Sequence, residues 1–287
     1  MRKLLLVFAA SLLCVAANAG KILTDSLYSS VLGRQMRFNV YLPDGFGRDA
    51  SERYPSVYLL HGLYGNYTDW NKLGNMKPVV DELIGTGEAC RMVIIMPDAG
   101  GKDIHKVHNG YFNVPGWSYE DFFFSELMPY AESKYNCFSD KSHRAIMGLS
   151  MGGGGSAVYA QKYPELFSSC YAISAWLDQP DFDQKGKSMP EDCYYWTCRS
   201  VRENSALDYV DKASAAQLDA LRGVRWFLDC GDDDFLLQLS MDLHMKMKAA
   251  GVKSELRVRN GAHTWEYWHT ALRLALPFVS DGFGRQN

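Results

Sequence analysis

The stretch Gly148-Leu149-Ser150-Met151-Gly152 joins an apolar run, Arg144 to Met147, to a segment of helical spacing that runs from Gly153 through Ala157, Val158 and Ala160 to Tyr163. A chain that turns from strand into helix over so few residues bends sharply, and glycines at 148 and 152 remove the side chains that would collide there. The residue at the apex is then held out above the end of a strand. Such a junction belongs to a layered α/β fold, and it exposes a serine hydroxyl where a neighbouring base can reach it.

The rest of the chain fits that architecture. Met36 to Leu42 alternates Met36, Phe38, Val40 and Leu42 with Arg37, Asn39 and Tyr41, which predicts a half-buried antiparallel strand. Gly33-Arg34 offers the turn from an earlier strand at Asp25 to Val31, so the chain opens with a hairpin. Short apolar runs follow at Ser56 to Leu60, Met92 to Met96, Arg144 to Met147, Cys170 to Ser174, Arg225 to Cys230 and Glu255 to Val258, separated by helix-length stretches. Runs of this kind read as buried parallel strands. Helices are expected at Tyr119 to Lys134, Leu236 to Ala250 and Thr264 to Val279. The polar segment Leu177 to Lys212, with Pro180 and Pro190, is too long for an ordinary connection and is expected to lie over the face that carries the serine.

Residues 1–19 begin with Arg2 and Lys3, continue as an apolar core from Leu4 to Val15, and close on Ala17-Asn18-Ala19. This pattern predicts a secretory signal peptide cleaved after Ala19, and hence a secreted or periplasmic protein. The apolar run is too short to span a membrane. Residues 20–287 are expected to form one domain, since no linker, repeat or charge block divides them. That portion carries 28 Lys and Arg against 33 Asp and Glu, a formal charge of −5, which offers nucleic acid no basic surface. Of its six cysteines, Cys193 and Cys198 flank Tyr194-Tyr195-Trp196-Thr197 and suggest a short loop disulfide, whereas Cys170 and Cys230 read as core residues. No histidine stands at metal-ligand spacing from a cysteine, and no dinucleotide or phosphate-loop glycine pattern occurs, so neither metal nor cofactor is expected.

A serine nucleophile needs a base, an acid to orient that base, and donors for the oxyanion. His263, in Asn260-Gly261-Ala262-His263-Thr264-Trp265, follows one expected strand and precedes a helix, the place for a base. His61 more naturally shapes a loop, and the remaining histidines fall in polar loops, before a strand or on helices. The acidic run Asp232-Asp233-Asp234 follows the preceding strand, and by pattern any one of the three can be the acid while the others face water. The expected oxyanion donors are the amides of Met151, after the nucleophile, and Leu63, in the turn His61-Gly62-Leu63-Tyr64-Gly65.

Together His61-Gly62-Leu63-Tyr64-Gly65, Met96-Pro97-Asp98, Tyr119-Glu120-Asp121, Gly148-Leu149-Ser150-Met151-Gly152, Asp229-Cys230-Gly231-Asp232-Asp233-Asp234-Phe235-Leu236 and Gly261-Ala262-His263-Thr264-Trp265 resemble the esterase D-like esterase family of α/β-hydrolases. The resemblance runs from about residue 25 to 280. That family includes S-formylglutathione hydrolases, carbohydrate esterase family 1 enzymes such as feruloyl and acetylxylan esterases, and mycolyltransferases. The resemblance implies the α/β-hydrolase fold, a mostly parallel central sheet with helices on both faces, while the small insertion near the active site is read from the segment Leu177 to Lys212 itself. In the family's pattern the catalytic aspartate stands three residues after the glycine, which is Asp234 here. Ala262 departs from the pattern, where a second glycine is common, and the segment Leu177 to Lys212 departs further.

The activity so implied is that of a serine carboxylester hydrolase, acting on feruloyl or acetyl esters of carbohydrate. Trp176 and Trp265, close in sequence to the ends of the expected catalytic strands, are the candidate substrate-stacking residues. An acyltransferase of mycolyltransferase type and a thioesterase of S-formylglutathione hydrolase type are the alternatives. An export signal argues against the latter, whose substrate is cytosolic. A non-catalytic scaffold on a hydrolase fold would be expected to have lost the serine or the histidine. The acyl group, the alcohol portion and the oligomeric state have no signature in the sequence.

Overall fold

The computed structural model describes residues 19–284. Apart from Ala19, the expected signal peptide lies outside the described residues. Eight strands form the central sheet: β1 (Lys21–Ser29), β2 (Arg34–Leu42), β3 (Ser56–Leu60), β4 (Val93–Pro97), β5 (Arg144–Leu149), β6 (Ser169–Ile173), β7 (Arg225–Gly231) and β8 (Ser254–Arg259). Their order across the sheet is β1-β2-β4-β3-β5-β6-β7-β8. β1 pairs antiparallel with β2, as expected, and β2 pairs antiparallel with β4. Every other neighbouring pair is parallel. β2 is not half-buried as its alternation predicts, because Asn39 and Tyr41 are buried along with Phe38, Val40 and Leu42, leaving only Arg37 exposed between Met36 and Leu42.

The central strands are buried along their whole length, because helices cover both faces and each strand must be apolar on both sides. Alternate residues feed two separate cores. Tyr58, Leu60, Ile95, Ile146 and Ala172 pack on one face, under α2 (Met151–Lys162), α4 (Ala206–Lys212) and α5 (Leu237–Ala249). Val57, Leu59, Ile94, Met147 and Ile173 pack on the other, under α1 (Met76–Thr86) and α6 (Trp265–Gly282). The segment from Tyr119 to Lys134 is a single helical run that widens at Phe123–Leu127 and closes over the first core.

Two further sequence expectations need correction. β8, read as a buried strand, is the sheet's last strand among the described residues, and none of its residues is buried: Glu255, Arg257 and Val258 are exposed and Ser254, Leu256 and Arg259 half-buried, one of its edges having no partner strand among those residues. The Cys193–Cys198 disulfide is not formed. Cys193 opens the helix α3 (Cys193–Glu203), and a residue five positions on leaves the helix about 140° away from it, too far round for a bridge. Cys170 and Cys230 are buried core residues, as expected. The segment from Leu177 to Lys212 is largely helical. Its later part packs α4 against α2 and α5, and its α3 packs against the strand at Asn113–Val114.

Candidate active site

The elbow forms at the C-terminal end of β5. Ser150 has φ +53° and ψ −118°, a conformation costly for any residue with a Cβ and held here by its neighbours. The Ser150 amide donates to Ile173 O at 2.9 Å, and the Ser150 carbonyl accepts from the amides of Gly154 and Trp176, each at 2.9 Å. Gly152 passes so close to β3 that a Cβ there would lie 2.5 Å from His61 O. Only glycine allows the helix to start against that strand end.

Three loops converge on this serine. His263 Nε2 lies 2.9 Å from Ser150 Oγ, and His263 Nδ1 lies 3.0 and 2.8 Å from the two carboxylate oxygens of Asp234. The chain of contacts therefore runs from hydroxyl to imidazole to carboxylate. Of the three adjacent aspartates, Asp232 and Asp233 are exposed and Asp234 is buried. Burial pushes the Asp234 carboxyl up, but hydrogen bonds from His263, the Leu236 amide and Ser174 outweigh it and hold the group below the usual carboxylate range. Asp232 has a different task, since its carboxylate accepts the Gly261 amide at 2.8 Å. With Asp233 N donating to Gly261 O at 2.9 Å, the acidic loop after β7 is fastened to the histidine loop after β8.

The turn after β3 lies against the elbow. A Cβ on Gly62 would meet Ser150 Cβ at 3.4 Å, so the Gly62–Leu63 backbone borders Ser150. Met151 is buried as the first residue of α2, where an amide has no partner within the helix. His61 fastens the turn in place: its Nδ1 lies 2.8 Å from Gly62 O and its Nε2 accepts the Ala99 amide at 2.9 Å. This pattern fits only the neutral tautomer with a proton on Nδ1. Burial lowers the His61 pKa to about 4 despite the Gly62 carbonyl, so the ring stays neutral at working pH. Its loop-shaping place in the sequence reading is the one it occupies.

The aromatic candidates lie in different settings. Trp176 is half-buried, tied to Ser150 through its amide and to Gln179 Oε1 through Nε1 at 2.8 Å. Trp265 is half-buried and stands edge-on to Trp70 at 5.5 Å and to Trp268 at 5.2 Å. Sequence reasoning missed Phe235, which is 77% exposed with its ring 4.6 Å from the His263 ring. A phenylalanine set directly after a run of three aspartates was the available signal. It also missed Asp229, fully buried at the base of these loops, where it accepts from the Tyr171 hydroxyl at 2.8 Å, the Tyr267 hydroxyl at 2.5 Å and Arg259 at 2.9 Å. Among the described residues no group of three or more His, Cys, Asp or Glu side chains is gathered as a metal-ligand set, and no helix is long and apolar enough to cross a membrane.

A profile of the family described as "Putative esterase" matches residues 29–279. An endo-1,4-beta-xylanase/feruloyl esterase of Xylanibacter ruminicola is 28% identical over 259 residues, which are 89% of this chain and 31% of that protein. The chain thus spans about a third of that relative's length. An acetyl esterase of Caldicellulosiruptor saccharolyticus is 25% identical over 279 residues, covering 90% of this chain and 98% of that one. A solved structure of a ferulic acid esterase is 45% identical and superposes with a TM-score of 0.87, covering 92% of this chain and all of that one.

Proposed function

This chain belongs to the esterase family, carboxylic ester hydrolases of the α/β-hydrolase fold, and from that premise we propose that it is an exported serine esterase acting on feruloyl or acetyl esters of carbohydrate. The observation that carries the chemistry is the continuous Ser150–His263–Asp234 chain of hydrogen bonds at the ends of three strands. The relatives described as feruloyl, ferulic acid and acetyl esterases support the substrate class.

In this reading Ser150 Oγ attacks the ester carbonyl while His263 Nε2 takes its proton. Asp234 keeps the other imidazole proton on Nδ1 and stabilises the imidazolium that forms. The tetrahedral oxyanion is held by the amides of Leu63 and Met151, whose preorganised dipoles cost no rearrangement during the step. His263 then protonates the departing alkoxide, leaving Ser150 acylated. A water that gives its proton to His263 releases the acid and restores the serine. Trp176, Trp265 and the exposed Phe235 offer aromatic surface for a cinnamoyl ring or a sugar.

The test is a hydrolysis panel on residues 20–287 with p-nitrophenyl acetate, p-nitrophenyl butyrate, methyl ferulate and acetylated xylan, with Ser150→Ala alongside. Ser150→Ala is expected to lose at least about 10³-fold in kcat on every substrate turned over. Methyl ferulate or acetylated xylan is expected to be preferred by kcat/KM. A wild type inactive on all four substrates, or a Ser150→Ala variant as active as wild type, would end this reading. An alcohol acceptor that diverted the acyl group into a new ester would favour transfer over hydrolysis.

A further inference from the structure

The Asp234 carboxylate that holds His263 is itself held, on a side the proposed reaction does not use. Ser174 follows β6, is fully buried, and has φ +46°, in the left-handed region that favours glycine. Its amide donates to Asp229 O at 2.7 Å, which pins it between the ends of β6 and β7. Its hydroxyl accepts the Trp268 Nε1 proton at 3.1 Å. With that lone pair engaged, the hydroxyl's own proton is free to donate, and the Asp234 carboxylate and the Cys230 thiol are the groups within its reach. Trp268 also borders the base directly, its ring standing edge-on to His263 at 4.9 Å and 89°. The tryptophan thus touches both ends of the acid–base pair, once through its ring and once through Ser174.

We propose that Ser174 and Trp268 are positioning residues, forming an indole N–H to hydroxyl to carboxylate relay that fixes the rotation of the Asp234 carboxylate against the His263 imidazole. This rests on the Ser150–His263–Asp234 reading above. A carboxylate held only by His263 and the Leu236 amide can swing about its Cβ–Cγ bond, and a third donor from a rigid, buried strand end removes that freedom. The backbone supports this assignment. Glycine would fit the left-handed conformation without strain, so a serine there is offset only by what its hydroxyl contacts.

The experiment compares Ser174→Gly, Ser174→Ala and Trp268→Phe with wild type and Ser150→Ala on p-nitrophenyl acetate. Thermal unfolding and the downfield proton resonance of the His263–Asp234 hydrogen bond are recorded for each. Both Ser174 variants are expected to lose about 10-fold in kcat with KM changed less than about 2-fold, and to shift or broaden the downfield resonance. Ser174→Gly is expected to unfold no earlier than Ser174→Ala, since glycine suits the backbone. Trp268→Phe keeps a ring against His263 but removes the donor, and is expected to lower kcat in the same way by a smaller factor. It also decides the matter by the same two readouts should the Ser174 variants fail to fold. Folded Ser174 variants with wild-type kcat and an unmoved resonance, beside an inactive Ser150→Ala, would overturn this inference alone. Activity surviving in Ser150→Ala would overturn it together with the reading it rests on.

Discussion

At the scale of single residues, surroundings give two carboxylates at strand ends opposite characters. Asp234 gathers donors and is kept ionised, whereas Asp98, just past β4, is raised to about 6 chiefly by burial, against the Gly100 amide and Arg34. A group whose folded pKa lies above its ordinary value of 3.8 destabilises the fold once it ionises. As pH rises from about 4 to about 6, stability is lost, and above about 6 the full cost is present. A neutral amide in place of this carboxyl would have no charge to bury. Asp98→Asn is therefore expected to raise the thermal midpoint at pH 7, by an amount worth of order 1–2 kcal/mol, and to show no gain at pH 4. Unfolding curves at the two pH values check this, and equal destabilisation at both would sink it.

At the scale of elements, the strand that carries Ser150 is anchored at the end remote from the site. Arg144 opens β5 and pairs with Glu132 through Nε at 2.5 Å and a second nitrogen at 2.9 Å, both side chains buried. Arg144 also donates to the carbonyls of Leu166 and Ser139, and the Tyr58 hydroxyl donates to Glu132 at 3.2 Å. Removing one partner of such a pair strands a buried charge. Glu132→Ala is expected to cost about 3–5 kcal/mol in denaturant unfolding, while the folded fraction keeps the wild-type KM because the site sits at the opposite end of the sheet. A loss below about 1 kcal/mol would show that the guanidinium finds solvent or another carboxylate.

At the scale of the whole molecule, the first described residues close the outer edge of the fold. The Gly20 amide donates to Asp81 Oδ1 at 2.8 Å, the Tyr41 hydroxyl donates to the same oxygen at 2.7 Å, and Lys77 pairs with the other oxygen at 2.6 Å. A Cβ at position 20 would lie 2.5 Å from the Tyr41 hydroxyl, so this seat takes glycine. If the leader is cut after Ala19, the amide becomes an ammonium group beside a carboxylate, and the new terminus is tied to α1 by an ion pair. Protein exported from a bacterial host with its leader intact is accordingly expected to begin at Gly20 by N-terminal sequencing. A mature form that retains residues 1–19, or starts several residues later, would refute the cleavage site.

The sequence by itself determined the layered α/β fold, the order along the chain of the serine, aspartate and histidine that the structure brings together, and the turn that borders Ser150. Each depends on local spacing: two glycines around Ser150, apolar runs of strand length, and loops that follow them. The tertiary structure alone decided what depends on segments distant in sequence. Asp232, Asp233 and Asp234 are chemically alike, and only the packing of the β7 and β8 loops turns Asp234 inward to His263 while Asp232 caps Gly261. The positive φ of Ser174 and its contact with Trp268, 94 residues away, leave no trace in composition or periodicity. The separation of Cys193 from Cys198 follows from a helix where the pattern suggested a loop, and the exposure of β8 from its place at the edge of the sheet. A local pattern constrains where the backbone bends, whereas the direction of a side chain in a loop is set by whichever distant segments pack against it.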